Sequence, residues 1–185
     1  MATPLASRRI VIAGASSLLG MELKLLLEES RFAASDFRLV DEETVAGILT
    51  EAGGEPAVIQ PVEEDSFNKA WLVFFAGSPA FSKRNIELAK RSGARIVDLS
   101  GEFVGQEETQ IWLPKFDELA SSASRLDANV FVIPSAPAEI IARLRVALRS
   151  LKLSALTAVA FQPVSSSALP VDQPKNTGRA MPLMP

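Results

Sequence analysis

The sequence contains no cysteine and no histidine. The first absence excludes disulfides and a thiolate nucleophile. The second removes the usual general base and the commonest metal ligand, and no metal site is expected. Neither sign of charge dominates: 19 Lys and Arg stand against 22 Asp and Glu, for a net charge of −3 and a pI near 5.2. That balance argues against a nucleic-acid surface. No apolar run reaches the roughly 20 residues that cross a bilayer, so no membrane partner is expected. Met1 to Arg9 places its arginines after its small residues and has no signal-peptide core. A cytoplasmic protein is the expectation.

What the chain does have is apolar residues, 48% of 185. That suffices for one domain, or for one domain and an appendage. The most informative stretch runs from Arg8 to Glu29. Ile10-Val11-Ile12-Ala13 is a short apolar, β-branched run of the kind buried on both faces of a parallel sheet. Gly14-Ala15-Ser16-Ser17-Leu18-Leu19-Gly20 then turns the chain, and Leu19, Leu23, Leu26 and Leu27 recur at helical spacing beyond it. A turn that leaves a buried strand and opens a helix aims free N–H groups and the positive end of the helix dipole at one point. That point suits a phosphate, and dinucleotides bind at such turns in doubly wound folds.

The spacing is Gly14-x-x-Ser17-x-x-Gly20, a G-x-x-G-x-x-G variant with serine for its middle glycine. Gly14 serves the tight turn and Gly20 close packing of the helix on the sheet. Ser17 puts a side chain where backbone would approach a pyrophosphate; it or Ser16 equally suits the role of helix cap. A plain βα turn that never meets a nucleotide fits the same residues.

Phe37-Arg38-Leu39-Val40 reads as the second strand and ends in Asp41-Glu42-Glu43. An acidic residue there is where a Rossmann unit binds the ribose hydroxyls of NAD. Asp41 comes late in sequence but at the right end of the right strand, and a solvated acidic turn is the competing reading. A dinucleotide would place its pyrophosphate at Ser16 to Leu19 and its adenosine ribose near Asp41. Three carboxylates would repel a 2′-phosphate, favouring NAD over NADP.

Further strands are expected near 72–76, 95–99, 130–133 and 156–162, beside the first two near 8–13 and 37–40. Helices are expected near 17–29, 80–92 and 137–150, with Gly93 stopping the second at its C′ position. Ala52-Gly53-Gly54-Glu55-Pro56 reads as the turn of a weak hairpin with Ala57-Val58-Ile59 as one arm. Residues 101–128 form a long connection with Pro114 and a Ser-rich patch. In the third helix Ile140, Ile141, Leu144, Ala147, Leu148 and Leu151 share one face, and Arg143, Arg145 and Arg149 the other. Strands alternating with helices predict an α/β fold: a Rossmann-like, doubly wound, mainly parallel sheet over residues 1–164. Residues 165–185 read as an irregular Pro/Ser-rich tail that cannot build its own core, either disordered or draped on a surface such as that of a second subunit.

Several segments, in order, resemble the N-terminal half of aspartate-semialdehyde dehydrogenase and its relatives in the semialdehyde dehydrogenase NAD-binding superfamily. Gly14 to Gly20 is similar to the family's GATGxVG, and Phe74-Phe75-Ala76-Gly77-Ser78 to its Ala-Gly-Gly strand end. Ile96-Val97-Asp98-Leu99-Ser100-Gly101-Glu102-Phe103 resembles VIDNSSAFR, and Val97 to Ser100 also the acetylglutamyl-phosphate reductase version of that strand. Ile133-Pro134-Ser135-Ala136-Pro137 aligns with the Asn-Pro-Asn-Cys turn, and Phe161-Gln162-Pro163-Val164-Ser165 with Tyr-Gln-Ala-Val-Ser. The resemblance covers about residues 8–168.

It implies a dinucleotide held by Gly14, Ser16, Ser17, Leu18, Leu19, Asp41, Ala76 and Gly77, a place in amino-acid biosynthesis, and a C-terminal dimerisation and substrate domain of which 165–185 would be a remnant. It also implies a chemistry in which a helix-terminal cysteine attacks an aldehyde, hydride passes to NADP and phosphate releases the acyl group. Here Ala136 occupies the cysteine position, Ser135 that of the preceding asparagine, and Val104 that of a phosphate-binding arginine. Asp41-Glu42-Glu43-Thr44 replaces the basic segment that accepts the 2′-phosphate. The family's base histidine and substrate arginine lie in its C-terminal domain, for which this sequence has no match. Gln162, a substrate contact in the family, is retained.

Three readings follow. One is a semialdehyde dehydrogenase-like, dinucleotide-binding domain without acyl-transfer chemistry, closest to a cysteine-lacking branch of the family. The second is a structural or regulatory protein that keeps the fold as a scaffold for self-association. The third is an active dehydrogenase whose other half lies beyond Pro185, against which Ala136 stands.

Overall fold

A strand is buried on both faces only where both faces of its sheet are covered, and in β1, Arg9–Ala13, every residue after the first is buried. The computed structural model describes residues 8–113, 128–151, 155 and 157–159. After β1 come α1, Leu18–Glu28, and β2, Asp36–Asp41. A hairpin of β3, Leu49–Ala52, and β4, Glu55–Val58, precedes the short β5, Gln60–Pro61. Then follow β6, Ala70–Phe75; α2, Pro79–Arg91; β7, Arg95–Asp98; β8, Thr109–Ile111; β9, Val130–Val132; and α3, Ala136–Ala147.

Seven strands form one sheet in the order β5-β2-β1-β6-β7-β9-β8, and every pairing in it is parallel. The period of two along each strand divides the core. Val11 and Ala13 join Val73, Phe75 and Ile96 under Phe81, Ile86 and Ala89 of α2. Ile10 and Ile12 join Leu39 and Leu27 of α1 on the other side. The sheet is therefore wound from β1 in both directions, with β2 and β5 to one side and β6 onward to the other. The order reverses between β1 and β6, and ligands of open α/β sheets bind outside the carboxyl ends of the strands at such a point.

The expected strands over 8–13, 37–40, 72–76, 95–99 and 130–133 are present, as are all three helices. Gly93, at φ 72°, follows the Ser92 cap of α2 as expected. The Gly53-Gly54 hairpin forms, but as a separate two-stranded sheet. β8 lies inside the expected connection: three residues with no alternation become a strand through pairing with β9. The strand expected near 156–162 is not formed at 157–159, where Val159 stands 77% exposed; its remainder, with Gln162, lies outside the described residues, as does the 165–185 tail.

Two helices differ from their sequence reading in what covers them. No residue of α3 is buried, and Ile140 on its apolar face is 65% exposed. In α1 the sheet takes Leu27 and part of Leu23, while Leu19 and Leu26 face outward with Leu18, Met21 and Leu25. Among the described residues no helix is long and apolar enough to cross a membrane.

Candidate functional site

The turn after β1 is built by the close approach of two backbones. Gly14 has φ 88°, and a Cβ placed on it would overlap the N and Cα of Gly77 in the turn after β6. A Cβ on Gly77 would in turn lie 2.8 Å from Cδ1 of Phe81. The N–H groups of Gly14 and Ala15 donate to Val40 O at 2.8 and 3.2 Å, and that of Ala76 to Ala13 O at 2.8 Å. These bonds hold three strand ends at one height. Gly20 has a more local role than packing on the sheet: its missing side chain leaves room for Gly14 O and Ala15 at the start of α1.

Ser17 uses its hydroxyl twice. It accepts from the Gly20 N–H at 2.9 Å as the cap of α1, and it donates to Ala76 O at 2.7 Å. The serine that replaces the middle glycine therefore ties the first turn to the β6 turn. Leu18 and Leu19 follow, exposed, in the first turn of α1, whose N–H groups have no acceptor within the helix.

Ser16 faces the other way. Its N–H and its hydroxyl both donate to Oδ2 of Asp41, each at 2.7 Å, and the Glu42 N–H donates to Oδ1 at 2.8 Å. Asp41 is only 6% exposed. A carboxylate has about four acceptor positions, so these three donors leave one, on Oδ1. Asp41 is thus the buried hinge between the glycine turn and a cleft of about 400 Å³ that it helps to line. The cleft is also lined by Phe81, Arg84 and Asn85 of α2 and by Glu43 and Glu63. Arg84 Nη2 donates to Glu42 Oε1 at 2.7 Å.

Sequence reasoning identified Gly14, Ser16, Ser17, Leu18, Leu19, Asp41, Ala76 and Gly77, and the structure brings them together around two adjoining turns. It did not identify Phe81 and Arg84 as cleft residues. Their helical spacing placed one inward and one outward, but no local signal shows that α2 faces the end of β2.

The second group of resembling residues begins at the next strand end, where the Leu99 N–H donates to Phe75 O at 2.9 Å. Asp98, fully buried at the end of β7, accepts from the Ser100 N–H at 3.0 Å, the Ser100 hydroxyl at 2.5 Å and the Phe103 N–H at 3.3 Å. It organises its own turn. Val104 beyond it is exposed. Ala136 is the first residue of α3 and is exposed, after a Ser135 cap whose hydroxyl makes no capping bond. Among the described residues no cluster of His, Cys, Asp or Glu is arranged to hold a metal ion. Lys90, toward the other end of α2, is held above the usual lysine range by its hydrogen bonds to Glu87 and Glu108 and does not line the cleft.

Comparison with known proteins bears on the family and the fold. The sequence model of the family described as semialdehyde dehydrogenase, NAD binding domain, matches residues 9–143. An aspartate-semialdehyde dehydrogenase of Synechocystis sp. is 31% identical over 122 residues, covering 65% of this chain and 36% of that protein. A USG-1 protein homolog of Azotobacter vinelandii is 28% identical over 102 residues, covering 55% and 30%. The chain therefore spans about a third of the length of these relatives. Among solved structures, aspartate semialdehyde dehydrogenase II of Vibrio cholerae complexed with ASA superposes with a TM-score of 0.63 at 19% identity, covering 78% of this chain and 47% of that one. The Candida albicans enzyme with NADP gives 0.58 at 14%, with the same coverages. The fold is theirs, and the chain belongs to the semialdehyde dehydrogenase family through its NAD binding domain.

Proposed function

We propose that the chain binds a nicotinamide dinucleotide at the turn between β1 and α1, prefers NAD to NADP, and does not perform phosphorylating aldehyde oxidation. The observation that carries this reading is the placement of Asp41. Its carboxylate is tied to Ser16 of the turn with one acceptor position left on Oδ1, and the residue lines the cleft beside the turn. The donor set suits the ligand: the first-turn amides of Leu18 and Leu19 would hold the pyrophosphate, Asp41 a ribose hydroxyl, and the cleft against Phe81 the adenosine end. A bound nicotinamide ring would supply a hydride acceptor. The chain's own residues supply little else for the reaction, since Ala136 offers a methyl group at the nucleophile position, Val104 no charge for phosphate, and Ser135 has no histidine to activate it.

The Candida albicans neighbour is a complex with NADP. In this chain, the carboxylates of Asp41, Glu42, Glu43 and Glu63 favour NAD instead. Calorimetric or thermal-shift titration with NAD, NADH, NADP and NADPH tests the reading directly. Free ligand at about 100 Kd adds about 2.7 kcal/mol to stability. No stabilisation by any of the four would overturn it, and tighter binding of NADP than NAD would overturn the preference.

A second reading, the scaffold for self-association, has its own observation. Leu18, Leu25 and Leu26 of α1 and Ile140 and Leu144 of α3 are all exposed, more apolar helix surface than a solvated face needs. Sedimentation equilibrium decides it: a homodimer that withstands dilution and binds no dinucleotide supports the scaffold over the cofactor domain.

A further inference from the structure

Arg84 is the one cation among the described residues that line the cleft, facing Asp41, Glu42, Glu43 and Glu63. It reaches from α2 to Glu42, the residue just past β2, and donates to it at 2.7 Å. Both side chains stay well in solvent, at 61% and 42% exposure, so charge and not burial holds the guanidinium there. A planar guanidinium fork is the group suited to a phosphate dianion. In this cleft it is already neutralised.

Resting on the dinucleotide reading above, we infer that the Glu42–Arg84 ion pair sets the discrimination against a 2′-phosphate. Asp41 is the residue that its place at the end of β2 singles out, but its carboxylate is buried and turned to three donors of its own chain. Glu42 acts twice: it presents a negative charge at the cleft, and it occupies the cation that would otherwise receive the phosphate. Removing its charge relieves one repulsion and releases Arg84, and both changes favour NADP. NAD has no 2′-phosphate and gains nothing from either.

The test uses the full chain with Glu42→Gln, Arg84→Gln and the double variant, each titrated with NADH and NADPH. Two exposed charges acting on a dianion predict about a five- to tenfold gain in NADPH affinity for Glu42→Gln, with NADH changed by less than about twofold. Arg84→Gln alone gains nothing for NADPH, and the double variant loses most of the gain. Raising the salt from about 0.05 M to about 0.5 M shrinks the gain, because screening acts most on exposed charges. An unchanged NADH-to-NADPH ratio in Glu42→Gln overturns the inference while leaving the dinucleotide reading intact. A double variant that keeps the full gain also overturns it, since repulsion alone would then account for the preference. If no variant and no unmutated chain binds either dinucleotide, the underlying reading fails and this inference with it.

Discussion

Ser16 gives both its backbone N–H and its hydroxyl to one oxygen of Asp41, each at 2.7 Å. The turn that would receive a pyrophosphate is thus fixed by the buried carboxylate of a residue that also lines the adjoining cleft. Asp41→Ala removes the acceptor for these two donors and for the Glu42 N–H. Water can reach this part-buried site, so the cost is expected at about 2 kcal/mol rather than the sum of three charged bonds. The same change should weaken NAD binding and narrow its margin over NADP. Urea unfolding gives the first quantity and paired titrations the second; an unchanged midpoint would mean that the Ser16–Asp41 bonds contribute nothing.

The two glycine turns make a steric prediction with an internal control. Gly14 and Gly47 share φ 88°, but a Cβ at Gly47 meets nothing within 4 Å, whereas at Gly14 it overlaps Gly77. Gly47→Ala should cost only the left-handed backbone strain, about 1 kcal/mol. Gly14→Ala adds a backbone overlap that no side-chain rotation relieves, and at least about 3 kcal/mol in total is expected. Denaturant midpoints of the two variants measure the difference. Equal costs would show that the turns are not in contact.

Ser17 separates capping from ligand binding. Its hydroxyl is committed to Gly20 N and Ala76 O, so Ser17→Ala should lose about 1–2 kcal/mol as a cap and a tie are removed together. Ser17→Gly restores the family's residue at this place. Glycine is nearly as good a cap, so that variant should lose about 1 kcal/mol, mainly the Ala76 bond. Neither should improve dinucleotide affinity by more than about threefold, because the hydroxyl bonds the Gly20 N–H and Ala76 O rather than the Leu18 and Leu19 amides. A large gain in affinity for Ser17→Gly would mean that the hydroxyl obstructs the pyrophosphate.

Local sequence carried the frame of the fold because its signals are local. An apolar β-branched run, a glycine and a helical repeat within Arg8–Glu29 specify strand, turn and helix in one reading. β8 was illegible for the opposite reason: Thr109, Gln110 and Ile111 have no strand pattern and are recruited by β9. The same division runs through the site. The glycine spacing points to Gly14 and the end of the second strand to Asp41, but the use of Ser17 depends on Ala76, 59 positions away, and that of Arg84 on Glu42, 42 positions away. The exposed leucines of α1 show the limit of periodicity, which gives spacing on a helix but not which stripe the sheet will cover.

Catalysis gives the sharpest prediction. The resemblance implies a chemistry that needs a thiolate at the position of Ala136, a base, and a phosphate-binding cation at that of Val104. Ala136 stands at the helix start, exposed and chemically inert, Val104 at the cation's position, and the chain has no histidine. We expect no phosphate-dependent oxidation of aspartate semialdehyde, followed as formation of NADH or NADPH. Groups that act as a unit are not additive, so restoring one should recover little. Ala136→Cys should place a thiol at a helix N-terminus, where the dipole lowers its pKa and speeds alkylation by iodoacetamide relative to a free thiol. It should still give no turnover, because neither the base nor the phosphate site returns with it. Rapid alkylation without turnover is the expected pair of results. Turnover by the unmutated chain above the enzyme-free blank, abolished by a Gly14→Trp substitution that blocks the turn, would show that another residue does the chemistry and that the non-catalytic reading is wrong.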